Sequence, residues 1–226
     1  MICYSRLPLI IDTPKFQLEV SRITQEWLPH FNTLNYDGKW TALALRSPGG
    51  QADIVPDLIE KQEYADTIIM ADCEAISAFI SSLSCPVLSV RLLNLHAGAY
   101  IKPHCDHELA FEKGEARLHF PIFTNPQVEF FLEEDRITML EGECWYINAS
   151  LTHHVANHGS TDRIHLVVDC LVNDWLENIF SHSEKFCKTD YNLEEQIAII
   201  NELRQQNTEA ANNLAESLEH SVWLIS

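Results

Sequence analysis

Cys85-Pro86-Val87-Leu-Ser-Val-Arg-Leu-Leu-Asn-Leu95-His-Ala97-Gly98-Ala-Tyr-Ile-Lys-Pro103 is the stretch at which the chain changes character. A residue before proline is pushed out of the helical region, so Cys85-Pro86 stops whatever helix precedes it. Past that proline come a run rich in leucine and valine, the turn signal Ala97-Gly98, and a second short apolar run. The rhythm continues. Segments 88–95, 99–103, 116–122, 127–132, 136–140, 144–148, 153–157 and 163–172 read as strands. Asn125-Pro126, Glu133-Glu134-Asp135, Glu141-Gly142 and His158-Gly159-Ser160 separate most of the later ones. Many short strands at such spacing predict a mainly β core, a sandwich or barrel, over about 87–172.

Outside that core the pattern is largely helical. In Pro14–Trp27 the apolar residues Phe16, Val20, Ile23 and Trp27 fall on one helical stripe, with Pro14 near its start and Pro29 past its end. Leu18 lies off the stripe, and its alternation with Phe16 and Val20 leaves a short strand as the weaker option. Asn35-Tyr-Asp-Gly38 is a turn signal. Trp40–Leu45 reads as a strand closed by Ser47-Pro-Gly-Gly50, and Glu74–Leu83 as a short helix. After Asn173 the chain turns acidic and helical, with helices predicted over 192–206 and 208–220. The division expected is one domain over 1–175 and a helical C-terminal extension over 176–226, packed on that domain.

The chain has 226 residues, 15 Lys plus Arg against 33 Asp plus Glu, and a formal net charge of −18. Such a surface repels phosphate backbones and anionic membranes, so neither nucleic acid nor a membrane is expected as a partner. No apolar run reaches the roughly 18 residues of a membrane span. The start, Met1-Ile-Cys-Tyr-Ser-Arg6, lacks a basic region with a long apolar stretch behind it and reads as mature protein. Seven cysteines are scattered without a CxxC pair, which predicts free thiols and a cytoplasmic location.

Eight of the 11 histidines lie between 96 and 165, inside the predicted β core. In His104-Cys105-Asp106 the two outer residues are i and i+2, so on a strand they face the same side. One imidazole and one carboxylate are two parts of the mixed ligand set that suits non-haem Fe(II), and a second histidine completes it. Thr152-His153-His154-Val155-Ala156-Asn157-His158 supplies the candidates. His153 and His154 face opposite sides of a strand, so at most one of them joins the site. Ligating imidazoles need acceptors for their other N–H, and Asn148 or backbone carbonyls are the candidates. Ten residues beyond His153, Arg163 opens an apolar strand, where burial is costly without an anion. That anion is either a structural carboxylate or, beside a metal, a dicarboxylate gripped by the guanidinium fork. Arg117-Leu118-His119 repeats the i, i+2 geometry on another strand. The polar loop His107–Gly114 before it is either a lid or an ordinary surface loop. His96, His158 and His165 read as structural.

Taken together, Gly98-Ala-Tyr-Ile-Lys-Pro-His104-Cys-Asp106, Arg117-Leu-His119-Phe-Pro, Gly142-Glu-Cys-Trp145-Tyr-Ile-Asn148 and His153-His-Val155-Ala-Asn157…Arg163-Ile-His-Leu-Val-Val-Asp169 resemble the aspartyl/asparaginyl β-hydroxylase family of Fe(II)- and 2-oxoglutarate-dependent oxygenases. Gly38-Lys-Trp40-Thr-Ala-Leu-Ala-Leu-Arg46-Ser resembles its bacterial branch, which includes free-proline hydroxylases. The resemblance implies a double-stranded β-helix, a jelly roll of the cupin kind, with flanking helices at both ends. It implies Fe(II) on His104, Asp106 and His153, these being the catalytic residues. It implies 2-oxoglutarate on Arg163, with Arg117 and His119 also in contact, and O2 as the other cosubstrate. Hydroxylation of an amino acid or a peptidyl residue, with release of succinate and CO2, is the implied activity. For the substrate, Arg46 or Arg91 can supply a cation to a carboxylate, and Trp40 is either a pocket wall or core packing. A non-catalytic 2-oxoglutarate- or metal-binding sensor of cupin type is the alternative reading.

Overall fold

A computed structural model describes residues 1–53, 62–106, 109–187 and 193–223, with side chains of the last two helices from 197 to 219. Eight strands between Val87 and Leu171 divide between two antiparallel sheets. Val87–Leu95, Glu115–Phe123, Cys144–Ile147 and Arg163–Leu171 lie in the larger sheet. Tyr100–His104, Val128–Leu132, Asp135–Ile137 and His153–Asn157 lie in the smaller. The pairing is nested. The first of the eight strands pairs with the eighth, the second with the seventh, the third with the sixth and the fourth with the fifth. That is a double-stranded β-helix, or jelly roll, and its eight strands match those read from the sequence.

The larger sheet reaches beyond that core. Trp40–Pro48 pairs with Val87–Leu95 at one side, and Ile2–Leu7 pairs with Cys144–Ile147 at the other. Glu184–Cys187 then pairs with Ile2–Leu7, and Tyr36–Asp37 edges the smaller sheet. The first predicted helix is shorter than its stripe. Asp12 caps it, Lys15 N donating to Asp12 Oδ1 at 3.3 Å, and it spans only Thr13–Arg22. Ile23 is extended, yet Ile23 and Trp27 still pack against the core that holds Phe16 and Val20. Burial against one core, not helical period, puts those two residues on the stripe.

Alternation along the central strands builds two cores. Leu92, Leu118, Phe120, Leu166 and Val168 point away from the second sheet and pack under the helices Thr13–Arg22, Glu74–Ser82 and Asp174–Ser181. Leu93, Leu95, Ile101, Phe130, Ile147, Val155 and Val167 fill the space between the sheets. Each fully buried Leu, Ile or Phe contributes roughly 1.5–3 kcal/mol, so both faces of the larger sheet are anchored. The helices Leu193–Gln206 and Glu209–Trp223 pack on each other, with Arg204 Nη2 2.9 Å from Glu219. None of the seven cysteines is in a disulfide. No described helix is long and apolar enough to cross a membrane.

Candidate active site

The alternation that sends leucines outward sends polar side chains inward. Arg91 follows the same parity as Leu93, Arg117 and His119 oppose Leu118, and Arg163, His165 and Asp169 oppose Leu166 and Val168. These residues face the interior between the sheets, and most of them line a cavity of about 310 Å³. His104, Asp106, His153, Arg91, Arg117, His119, Arg163 and Trp40 are all part of its wall.

Three candidate ligands converge. One ligand atom from each of His104, Asp106 and His153 falls within 4.8 Å of the others. His104 and His153 are paired across neighbouring strands, their rings 4.3 Å apart. His104 Nδ1 sits 2.8 Å from the Lys102 carbonyl, and His153 Nδ1 3.0 Å from the Leu151 carbonyl. Each carbonyl accepts the Nδ1 proton, which fixes the tautomer and leaves Nε2 as the lone-pair donor to a metal. Asn148, the other candidate acceptor, is occupied instead with the Ile2 carbonyl and Ser150. Asp106 turns Oδ1 toward His104 Nε2, at 3.8 Å, while Arg117 Nη1 donates to Oδ2. His154 faces the other way, stacked on Phe131 at 4.8 Å.

Electrostatics keep this set ready. Burial pushes the His153 imidazolium down to about 4 against a weaker upward pull from its bond to Leu151. Burial alone would raise Asp106, but Arg117, His153 and His104 outweigh it and hold the carboxyl below its usual range. A neutral imidazole and an ionised carboxylate are the forms a cation binds.

Arg117 lines the cavity and is also tied to two carboxylates. Its Nε and Nη2 donate to Asp169 at 2.7 and 3.0 Å, and its Nη1 to Asp106. It is a strut between two carboxylates and orients Asp106. Asp169 also accepts from Arg91 Nη2 at 2.6 Å and Ser89 Oγ at 2.8 Å. Burial opposes ionisation of Asp169, but the two guanidiniums win and lower it far below the usual carboxylate value.

Arg163 contrasts with Arg117. It is 3% exposed, and no carboxylate reaches it among the described residues. Its hydrogen-bond contact is Nη2 to His165 Nδ1 at 2.9 Å, and its Nε has no partner among those residues. Burial pushes it down to about 9. His119, whose Nδ1 is also buried without a partner among the described residues, is held neutral by burial and by Arg163 and Arg117. Arg91 Nε is a third such orphan. Buried polar groups are nearly always satisfied, so orphans clustered on one cavity wall mark the seat of a polar, anionic ligand.

Arg46 lies outside the cavity. Its guanidinium bonds Asp66 Oδ1 at 2.8 Å and the Tyr64 and Val87 carbonyls, so its role is structural. Trp40 is both wall and packing, 6% exposed and stacked 3.6 Å from His30. His30 is a cavity residue that sequence reasoning misses. The Asn32 N–H points to its Nδ1 at 3.4 Å, and burial with Arg91 and other cations lowers it to about 3. No motif surrounds it; its backbone N–H bonds the Trp40 carbonyl at 2.9 Å and its ring stacks on Trp40, contacts that bring it to the site. His165, expected to be merely structural, is the neighbour of Arg163; its i, i+2 spacing on a strand is the available signal. His96 and His158 do sit against surface carboxylates, Asp162 and Glu129. His107 lies outside the described residues. Further along that loop, Phe111 stacks 4.2 Å from Phe180 and pins the segment to the core.

The chain has relatives among known proteins. L-proline cis-4-hydroxylase of Rhizobium meliloti (strain 1021) is 27% identical over 161 residues, covering 66% of this chain and 53% of the relative. The aligned chain thus spans about half the length of that relative. Among solved structures, a 2OG-Fe(II) oxygenase family oxidoreductase from Burkholderia pseudomallei has a TM-score of 0.46 at 9% identity, over 70% of this chain and 77% of the other. The viral collagen prolyl hydroxylase of Paramecium Bursaria Chlorella virus-1 has a TM-score of 0.44 at 11% identity, over 75% and 96%. The family described as aspartyl/asparaginyl beta-hydroxylase matches residues 12–172, a span holding every strand of the jelly roll and all three converging candidate ligands, and the chain belongs to that family.

Proposed function

We propose that this protein is an Fe(II)- and 2-oxoglutarate-dependent hydroxylase of a free amino acid or a peptidyl residue. The observation that carries this reading is the pairing of two features on one cavity: a two-histidine, one-carboxylate set, and a buried arginine with no carboxylate of its own among the described residues. The donor set fits Fe(II). Arg163, with its planar fork and unpartnered Nε, fits the distal carboxylate of a dicarboxylate cosubstrate. The iron and 2-oxoglutarate would supply the oxidation of an unactivated C–H bond by O2, with loss of CO2 and formation of succinate.

The chain's own residues do the rest. His104, Asp106 and His153 would hold the metal. Arg117 fixes which oxygen of Asp106 is presented. His119 lies on the same strand, 5.9 Å ring to ring from His165, and its Nδ1, buried without a partner among the described residues, would be available to the cosubstrate. Arg91, with a free Nε beside the metal set, is the cation for a substrate carboxylate, and Trp40 walls the same side. Among the described residues the interior holds three guanidiniums (Arg91, Arg117, Arg163) against two carboxylates (Asp106, Asp169), a balance that favours anionic ligands. The likeness to an L-proline hydroxylase makes cyclic and small amino acids the first substrates to try. On this reading the C-terminal helices serve the same domain, outside the chemistry.

The test is a succinate-release screen over free amino acids and short peptides, with Fe(II), 2-oxoglutarate and O2. The expected result is substrate-dependent succinate formation that His153→Ala abolishes and His154→Ala largely retains. Tight 2-oxoglutarate binding without turnover on any substrate would favour the sensor instead.

A further inference from the structure

Arg163 stands between two cavities. In front is the space of about 310 Å³ lined by the candidate metal ligands; behind is a second cavity of about 470 Å³. Arg163 lines both, His165 lines the rear one, and Val128, Ile137, Met139 and Leu140 make much of the rear wall. The floor of the front pocket is therefore a single layer of side chains.

What holds that layer differs from the rest of the site. Arg117 is clamped by two carboxylates. Arg163 rests on one neutral imidazole, with Nε unpartnered among the described residues and space behind it. Close packing fixes side chains elsewhere in a protein, and a long side chain backed by a void lacks that restraint. Glu141 and Arg136 also line the rear cavity, Arg136 paired with Glu129, so a retreating guanidinium does not enter a purely apolar wall.

We propose that Arg163 is a movable floor: by its retreat into the rear cavity, the cosubstrate pocket accepts 2-oxo diacids one methylene longer than 2-oxoglutarate. This rests on the reading of Arg163 as the cosubstrate's carboxylate partner. The longer diacid keeps its 2-oxo acid end at the metal and its far carboxylate on the same fork.

The experiment is an anaerobic titration of the Fe(II)-loaded protein, following the metal-to-ligand charge-transfer band, with 2-oxoglutarate and with 2-oxoadipate. The proposal expects a band with both, and dissociation constants within about tenfold, a difference of about 1.4 kcal/mol. Met139→Phe and Val128→Phe, which narrow the rear cavity, should weaken 2-oxoadipate by at least about tenfold and leave 2-oxoglutarate unchanged. Retained 2-oxoglutarate affinity reports that each variant is folded. A 2-oxoadipate constant more than about tenfold weaker in the wild type, or one untouched by folded rear-wall variants, overturns the movable floor alone. No band with 2-oxoglutarate itself overturns the functional reading, and the proposal with it.

Discussion

Asp169 carries more of the interior than any ligand does. It accepts from Ser89, Arg91 and Arg117, and its partner Arg117 is the group that aims Asp106. Removing one member of a buried charge network leaves the others uncompensated, at about 3–5 kcal/mol. Asp169→Asn should lose stability on that scale in urea unfolding; a loss below about 1 kcal/mol would show the network to be dispensable. The sequence displays Asp169 and Arg117 but not their contact. The two are cross-strand partners, and register cannot be read from one strand at a time. The same blindness hides the bond from Arg117 to Asp106 and leaves His30 out. His30 and His153 also make a pH prediction. Their folded values, about 3 and about 4, lie below the ordinary 6.5. Between those limits the unfolded chain binds more protons than the native one, so stability rises with pH there. The metal-free protein should hold its full histidine contribution above about pH 6.5 and lose it as pH falls toward 4. Urea midpoints across that range check the slope, and His30→Gln should flatten it.

The eight strands are legible because each carries alternation or an apolar run between turn residues, and the nested pairing follows from a jelly roll's topology. Ile2–Leu7 is not legible. Nothing local marks it as a strand, and its partners, Cys144–Ile147 and Glu184–Cys187, are remote in sequence. The end of the first helix is misplaced for a related reason, since Ile23 and Trp27 reach the core beyond the helix's last turn. Gly38 shows how one turn sets the site. It has φ +83°, and an added Cβ would stand 2.9 Å from Ala99 Cα, so any side chain there meets both backbone strain and a backbone clash. It leads directly into Trp40, the wall of the cavity. Gly38→Ala should cost about 1–3 kcal/mol. That corresponds to a fall in melting temperature of several degrees by calorimetry, and an unchanged Tm would contradict the close approach.

Across the whole molecule, the larger sheet is packed on both faces, and the smaller sheet closes over its polar interior. This gives the ligand set a rigid frame. His104 and His153 come from adjacent strands of the smaller sheet, with Asp106 just past the end of the first of them. Arg117, His119 and Arg163 come from the larger sheet opposite. The two-sheet arrangement is what brings the three candidate metal ligands and the buried Arg163 to one cavity. Sequence spacing alone shows each half but not their meeting. That meeting is the central claim, and diffraction tests it most directly. Crystals grown with Mn(II) in place of Fe(II), and with 2-oxoglutarate, should show one anomalous peak roughly 2–2.3 Å from His104 Nε2, Asp106 Oδ1 and His153 Nε2. The far carboxylate of 2-oxoglutarate should lie on the Arg163 guanidinium. A peak on His154 or away from these three residues, or a diacid bound without Arg163, would contradict the account.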